Sequence, residues 1–453
     1  MEFKYKDTCL IPENKILEEG ERLKEYIKFL NKVVQENNYG YPESFINLPF
    51  DDKILDTILR TKVRINTSKL KYIFLVGIGG SSLGVKAIYE ALEGHFAQNL
   101  PENTFQPRII FIDTINPSYL YFLKNYLKEN KLEPENYLTI IITKSGNTTE
   151  AVFNAEILNS LLPYTKERTI FITDKDSKLF NLAQKKKYKV LEIPTKVGGR
   201  YSVLSAVGLF PLSLVGISPG SLTIGAKEIT GSCLDINISN NPSAISAISI
   251  YLNYKKGNII NDNFFFNPEL ESLGKWYRQL TSESLGKEQK GIFPSISIGS
   301  TDLHSMVQLY LGGPPNIFTT FIKAERNRKA LTFDHEFINE ESPEHTDKEW
   351  FKEHEPKTLL PMEFAGLVEN IDNRTPSQVL DAIYNGVIAT YKNKNKPFIE
   401  ISLDEIGEEN LGRYMQFKMI EMVYLGKLLE VNPFDQPNVE EYKEETRKIL
   451  SSA

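Results

Sequence analysis

Short apolar runs recur through the first half of the chain, at residues 73–76, 109–112, 138–142, 170–173 and 190–193. They are rich in Ile, Val and Phe. Stretches long enough for crossover helices lie between them, such as 117–130 and 148–162. Apolar strands alternating with helices predict a mainly parallel sheet covered on both faces, the α/β class. The pattern places a first α/β domain at 65–225. A second series, at 264–266, 293–298, 317–321 and 397–401, predicts another α/β domain over 226–435. Residues 1–64 read as a helical segment packing on that second domain, and 436–453 as a terminal helix begun by Pro437. Thr375 followed by Pro376 has the form of a helix N-cap and first position. The most apolar run, 203–217, is short for a membrane span and contains Pro211, so a buried helix is expected. The charge-dense stretch 324–357 is expected to be exposed and irregular.

Composition narrows the function classes. At 453 residues the chain can hold two or three domains. Its formal net charge of −6 implies no basic face for nucleic acid or an anionic membrane. Two distant cysteines, Cys9 and Cys233, build neither a disulfide framework nor a thiolate metal site, which suits a reducing cytosol. The opening residues have no apolar leader pattern, so a cytoplasmic protein is expected. His335, His345 and His354 lack metal-ligand spacing, and no metal or cofactor is expected.

Two strand ends carry the first chemical signal. "FLVGIGGSSLG" runs from a strand into Gly77, Gly79, Gly80, Ser81 and Ser82. A dinucleotide turn would need glycine where Ser82 stands, and a P-loop would need lysine where Val85 stands. What remains is a turn whose N–H groups and hydroxyls face an anion, or a tight strand–helix turn without ligand. "IIITKSGNTTE" repeats the pattern with Thr143, Lys144, Ser145, Thr148 and Thr149. In a parallel sheet both would sit at carboxyl ends of strands, where ligands bind. Small hydroxyls suit a monophosphate.

Charged residues in apolar surroundings carry the second. Arg200 follows Gly198 and Gly199, with no other charge from Val197 to Ala226. It pairs with a structural carboxylate or stabilises a developing oxyanion. Glu283 flanks the helical face of Leu273, Trp276 and Leu280, with Gln279 one turn before it. It is a general base held partly out of water, or a helix-end carboxylate in solvent. His304 is expected in the first or second turn of a helix capped by Ser300 or Thr301, as a proton-exchanging imidazole or a packing one. Lys443 falls on an apolar arc between Val439 and Leu450, where lysines commonly snorkel.

Taken in order, "GIGGSSLG", "TKSGNTTE", "VGGRYS", "RQLTSES", "GSTDLHSMVQL" and "FDQPNVEEYK" resemble the motifs of the glucose-6-phosphate isomerase (phosphoglucose isomerase) family across nearly the whole chain. The resemblance implies two sugar-isomerase-type α/β/α sandwich domains, a homodimer, and metal-free interconversion of glucose 6-phosphate and fructose 6-phosphate. It assigns the phosphate to Ser81, Thr143, Ser145 and Thr148, with Gly80 and Lys144 in the same loops. It makes Glu283 the base beside Gln279, and sets Arg200 with Gly199 at the enediolate. It adds Gln436 and Lys443, and brings His304 from the partner subunit. Thr143 replaces a usual serine, Asn438 a small residue, and Thr195 an acidic or small one; no reacting group is lost. Two readings outside isomerisation are a non-catalytic sugar-phosphate-binding regulator and a phosphosugar amidotransferase. The regulator would not need Glu283, His304 and Lys443 together. The amidotransferase would need an N-terminal cysteine that Cys9 does not supply.

Overall fold

The computed structural model describes residues 1–93, 107–162, 165–326, 367–371 and 374–452. Most of the charged stretch at 324–357, with His335, His345 and His354, lies outside the described residues.

The chain opens on a short strand, β1 (Glu2–Lys4), and the helices α1 (Glu13–Glu21), α2 (Lys24–Glu36) and α3 (Asp52–Val63). Asp51 caps α3 by accepting from the Lys53 and Ile54 amides. Strands and helices then alternate as β2 (Tyr72–Val76), α4 (Leu83–Glu93), β3 (Arg108–Ile112), α5 (Pro117–Asn130), β4 (Tyr137–Ile142), α6 (Thr149–Leu161), β5 (Thr169–Asp174), α7 (Lys178–Lys185) and β6 (Lys189–Ile193). The strands form one parallel sheet in the order β3-β2-β4-β5-β6. Successive side chains serve opposite faces. Ile73 and Leu75 join the core beneath α4, while Tyr72, Phe74 and Val76 meet Leu123 of α5, Leu158 of α6 and Ala183 of α7.

The expected buried helix is α8 (Ala206–Leu214), with every residue buried despite Pro211. After α9 (Pro219–Cys233) and α10 (Pro242–Lys255) come β7 (Ile260–Phe265), α11 (Glu271–Leu285), β8 (Phe293–Ile298), α12 (Val307–Gly312) and β9 (Ile317–Ala324). The chain ends with α13 (Pro376–Asn393), β10 (Phe398–Leu403), α14 (Glu408–Leu429) and α15 (Pro437–Ser452). The second sheet has the order β1-β10-β9-β7-β8, parallel except for β1, which pairs antiparallel to β10 at the edge. Thr375 caps α13 as expected, accepting from the Gln378 amide.

α1 lies on α10 and α3 on α8, so the N-terminal segment touches elements from both halves. α14 is buried on almost all sides and packs on α9, α10 and α11. Inside it Lys418 and Glu421 pair at 2.9 Å, and Tyr277 of α11 donates to Glu421 at 2.8 Å. α11 also buries Leu273, Trp276 and Leu280. Each such side chain contributes roughly 1.5–3 kcal/mol over an exposed one. α11 is therefore a rigid platform. Among the described residues no helix is long and apolar enough to cross a membrane.

Candidate active site

In the first sheet the chain leaves β2 toward β3 on one side and later returns to β4 on the other. The carboxyl ends of β2 and β4 thus flank a topological switch point, where α/β sheets bind ligands. The turn after β2 runs through Gly79, in the left-handed region at φ +59°, into a tight Gly79–Ser81 turn. A Cβ on Gly80 would stand 2.3 Å from the Gly199 carbonyl carbon and 2.6 Å from the Arg200 nitrogen. Glycine there lets two backbone turns touch. After β4, the hydroxyls of Thr143 and Thr148 lie 3.0 Å apart, and those of Ser145 and Thr148 3.4 Å. Thr173 fixes this loop by donating to the Thr143 carbonyl at 2.7 Å. Thr148 precedes α6 without capping it through its side chain. The first N–H groups of α6 are thus left for an anion. Burial pulls the Lys144 ammonium below its ordinary pKa, opposed by Asp174 and reinforced by Lys196.

The second cluster is built around Arg200, whose side chain is 2% exposed. Its Nε donates to Ser284 Oγ at 2.9 Å. Nη1 donates to Glu283 Oε2 at 3.2 Å and Gln436 Oε1 at 2.9 Å. Nη2 donates to the carbonyls of Pro433 at 2.6 Å and Asp435 at 3.0 Å. The guanidinium thus spends all its donors, as a buried cation must. Of the two alternatives read for Arg200, the carboxylate partner is present, and it is Glu283. Gln279, one turn back on α11, donates to Glu283 Oε1 at 2.9 Å. Glu283 is 27% exposed, with each carboxylate oxygen accepting one of these bonds. The buried Gln279 Oε1 has no partner among the described residues.

One cavity of about 600 Å³ joins the two clusters. Gly80, Ser81, Lys144, Ser145 and Thr148 line one end; Gly199, Arg200, Gln279 and Glu283 line another part; Gln436 and Lys443 come from the start of α15. Two candidate residues do not line it. Thr143 is buried behind Thr148 and acts on the loop through that hydroxyl. His304 is exposed beyond β8 and lies off the cavity of its own chain.

Two local expectations are corrected. Neither Ser300 nor Thr301 caps an α-helix; residues Thr301–Leu303 form a 3-10 turn, and α12 begins only at Val307. Asp302 instead ties the turn back to β8, accepting from the Ile298 amide at 2.7 Å and from the Ser305 hydroxyl at 2.6 Å. His304 therefore precedes the α-helix. Lys443 is not on a buried arc either, because α15 buries none of its residues and Leu450 is exposed. Lys443 pairs with Glu440 at 2.7 Å instead. Sequence reasoning missed Thr446 and Arg447, which also line the cavity. Their spacing from Lys443, three and four residues on, was the available signal. It also missed Ser284 and the carbonyls that hold Arg200, for which no local pattern exists.

The model of the family described as phosphoglucose isomerase matches residues 58–338. A glucose-6-phosphate isomerase of Methanocaldococcus jannaschii is 32% identical over 425 residues, covering 91% of this chain and 93% of that protein. One of Clostridium tetani is 32% identical, covering 96% and 92%. Among solved structures, a hypothetical protein from Thermus thermophilus shares the fold with a TM-score of 0.77 at 24% identity, covering 99% of this chain and all of that one. A glucose-6-phosphate isomerase from Chlamydia trachomatis shares it with a TM-score of 0.70 at 19% identity, covering 90% and 75%. With a family match over well more than half its length and relatives aligned nearly end to end, this chain belongs to the phosphoglucose isomerase family.

Proposed function

We propose that the protein is an aldose–ketose isomerase that interconverts D-glucose 6-phosphate and D-fructose 6-phosphate, the step shared by glycolysis and gluconeogenesis. The observation that carries this is the single cavity in which an anion cradle faces a carboxylate held by a buried arginine. Its volume falls in the range of small-molecule sites. In this reading Ser81, Ser145 and Thr148, braced by Thr143, bind the phosphate with Lys144 and the α6 N-terminus. That fixes the sugar far from the reacting carbons. Lys443, with His304, opens the ring by moving a proton between the ring oxygen and O1. Glu283 takes the C2 proton of the aldose and returns it to C1. The cis-enediolate formed between these transfers lies against Arg200. The unpartnered Gln279 Oε1 is an acceptor for a sugar hydroxyl, and Gln436 is a second contact at that end.

His304 serves this scheme only from a second copy of the chain, so the reading includes a homodimer. It also takes 1–64 and 436–453 as appendages to domains at 65–225 and 226–435, and a cytoplasmic enzyme. The deciding experiment is an assay of purified protein with each hexose 6-phosphate, with and without chelator, in deuterated water. Isomerisation that survives the chelator and carries solvent deuterium to C2 supports proton transfer. Absence of turnover with both sugars would refute the proposal.

A further inference from the structure

The end of α11 is tied to the turn before α15 by a contact that no role above uses. Lys287 lies just past α11 with its side chain 8% exposed. Its Nζ meets the Asp435 carboxylate at 2.7 Å and also donates to the Asn432 carbonyl. Burial pulls its pKa down, and the bond to Asp435 acts against that. Arg200 holds the carbonyls of Pro433 and Asp435. The turn's carbonyls therefore end on two buried cations, in surroundings where such bonds are strong. The residue after Asp435 is Gln436, and α15 starts at Pro437. With nothing buried along α15, this turn is its anchor.

We propose that Lys287, paired with Asp435, is a positioning residue that fixes turn 432–436 and so holds Gln436 and Lys443 against Glu283. The inference rests on the isomerase reading and deepens it. The phosphate cradle is built on the first sheet, and among the described residues its hydroxyls bond to one another rather than to this turn. Loss of the tie should therefore damage the chemical end of the site and spare the anion end. A misplacement of about 1 Å from a change far from the chemistry can cost about 10²-fold in rate.

The test uses the full chain as Lys287→Met, Lys287→Arg and Asp435→Ala. Three quantities are read: kcat with fructose 6-phosphate, the competitive inhibition constant of inorganic phosphate, and the rate of trypsin cleavage after Lys443 and Arg447. Lys287→Met is expected to lower kcat by about 10²-fold, leave phosphate inhibition as in the wild type, and speed cleavage in α15. Lys287→Arg recovers most of the kcat. Asp435→Ala, at a half-exposed position, shows the same pattern more weakly. Wild-type kcat in Lys287→Met overturns the proposal. So does a joint loss of kcat and phosphate affinity in all three variants, the mark of a merely structural pair. A wild type inactive on both hexose phosphates defeats the isomerase reading instead. The trypsin arm still decides the tie in that case: unchanged cleavage in Lys287→Met and Asp435→Ala overturns it.

Discussion

Glu283 uses both carboxylate oxygens in the chain, one accepting from Gln279 and one from Arg200. Glu283→Gln keeps the shape and an oxygen for Arg200, so the fold survives while the base is lost. Turnover is expected to fall by at least about 10²–10⁴-fold, read in a coupled assay beside a thermal melt; near-normal turnover places the base elsewhere. Arg200→Ala removes a donor from Ser284, Gln436 and two carbonyls at once. It should lower turnover by about 10²–10³-fold and also lower the melting temperature. An unchanged melt would show that these bonds do not support the fold. Asp262 offers a pH test away from the cavity. Burial on β7 pushes its pKa from 3.8 up to about 6, against hydrogen bonds from Ser295, Ser297 and Tyr310. The folded chain thus holds this proton after the unfolded chain has released it. The stability it contributes is full below about pH 4 and is lost as pH rises through about 6, some ~3 kcal/mol in all. In denaturant titrations wild type should lose stability relative to Asp262→Asn between those values, and parallel curves would contradict the assignment. Arg200 was legible in the sequence because it stands alone in an apolar stretch. Its partner Gln436 lies 236 positions away, which no spacing rule reaches.

At the scale of elements, the two turns that touch at Gly80 join the proposed phosphate end to the proposed chemical end. Gly80→Ala would drive a methyl into the Gly199 carbonyl and force the turns apart. The expected result is weaker inhibition by inorganic phosphate together with lower turnover; wild-type values for both would mean the turns can separate freely. The strands of the first sheet were read to within a residue at each end because their runs are mostly apolar, and β2 and β4 at the middle of the sheet are buried throughout. The second sheet was harder. β7 carries Asn261, Asp262 and Asn263 in its buried interior, so only its aromatic end looked like a strand. Asn261 donates to the Phe318 carbonyl of β9 at 3.1 Å and Asp262 accepts from Ser295 and Ser297 of β8, and that pairing is tertiary information. β1 is short and charged, as edge strands tend to be, and gave no periodic signal. The turn around His304 was misread because Ser300 and Thr301 look like caps, whereas the Asp302 side chain reaches back to β8. Helix starts with proline at the first position, at Pro376 and Pro437, were read correctly.

For the whole molecule, the deciding feature is where His304 sits. Every other proposed reacting group lines one cavity, and His304 is exposed outside it. If two copies exchange this residue, each cavity is completed by its neighbour, and the two sites of a symmetric pair are equivalent. Glu283→Gln and His304→Ala would then each inactivate the homodimer for different reasons. In a mixed dimer one cavity carries both substitutions, while the other has an intact Glu283 and receives an intact His304. Random reassortment of equal amounts should therefore recover about a quarter of wild-type activity, since half the dimers are mixed and half their sites are whole. Co-expression of the two chains with different tags isolates the mixed dimers as the doubly tagged species, which should show about half of wild-type activity. Full rescue is not possible on this arithmetic, and a doubly tagged dimer as inactive as two inactive parents would mean that each chain uses its own histidine. A monomer with full turnover would exclude exchange altogether, and ring opening would then fall to Lys443, the remaining cation assigned to that step.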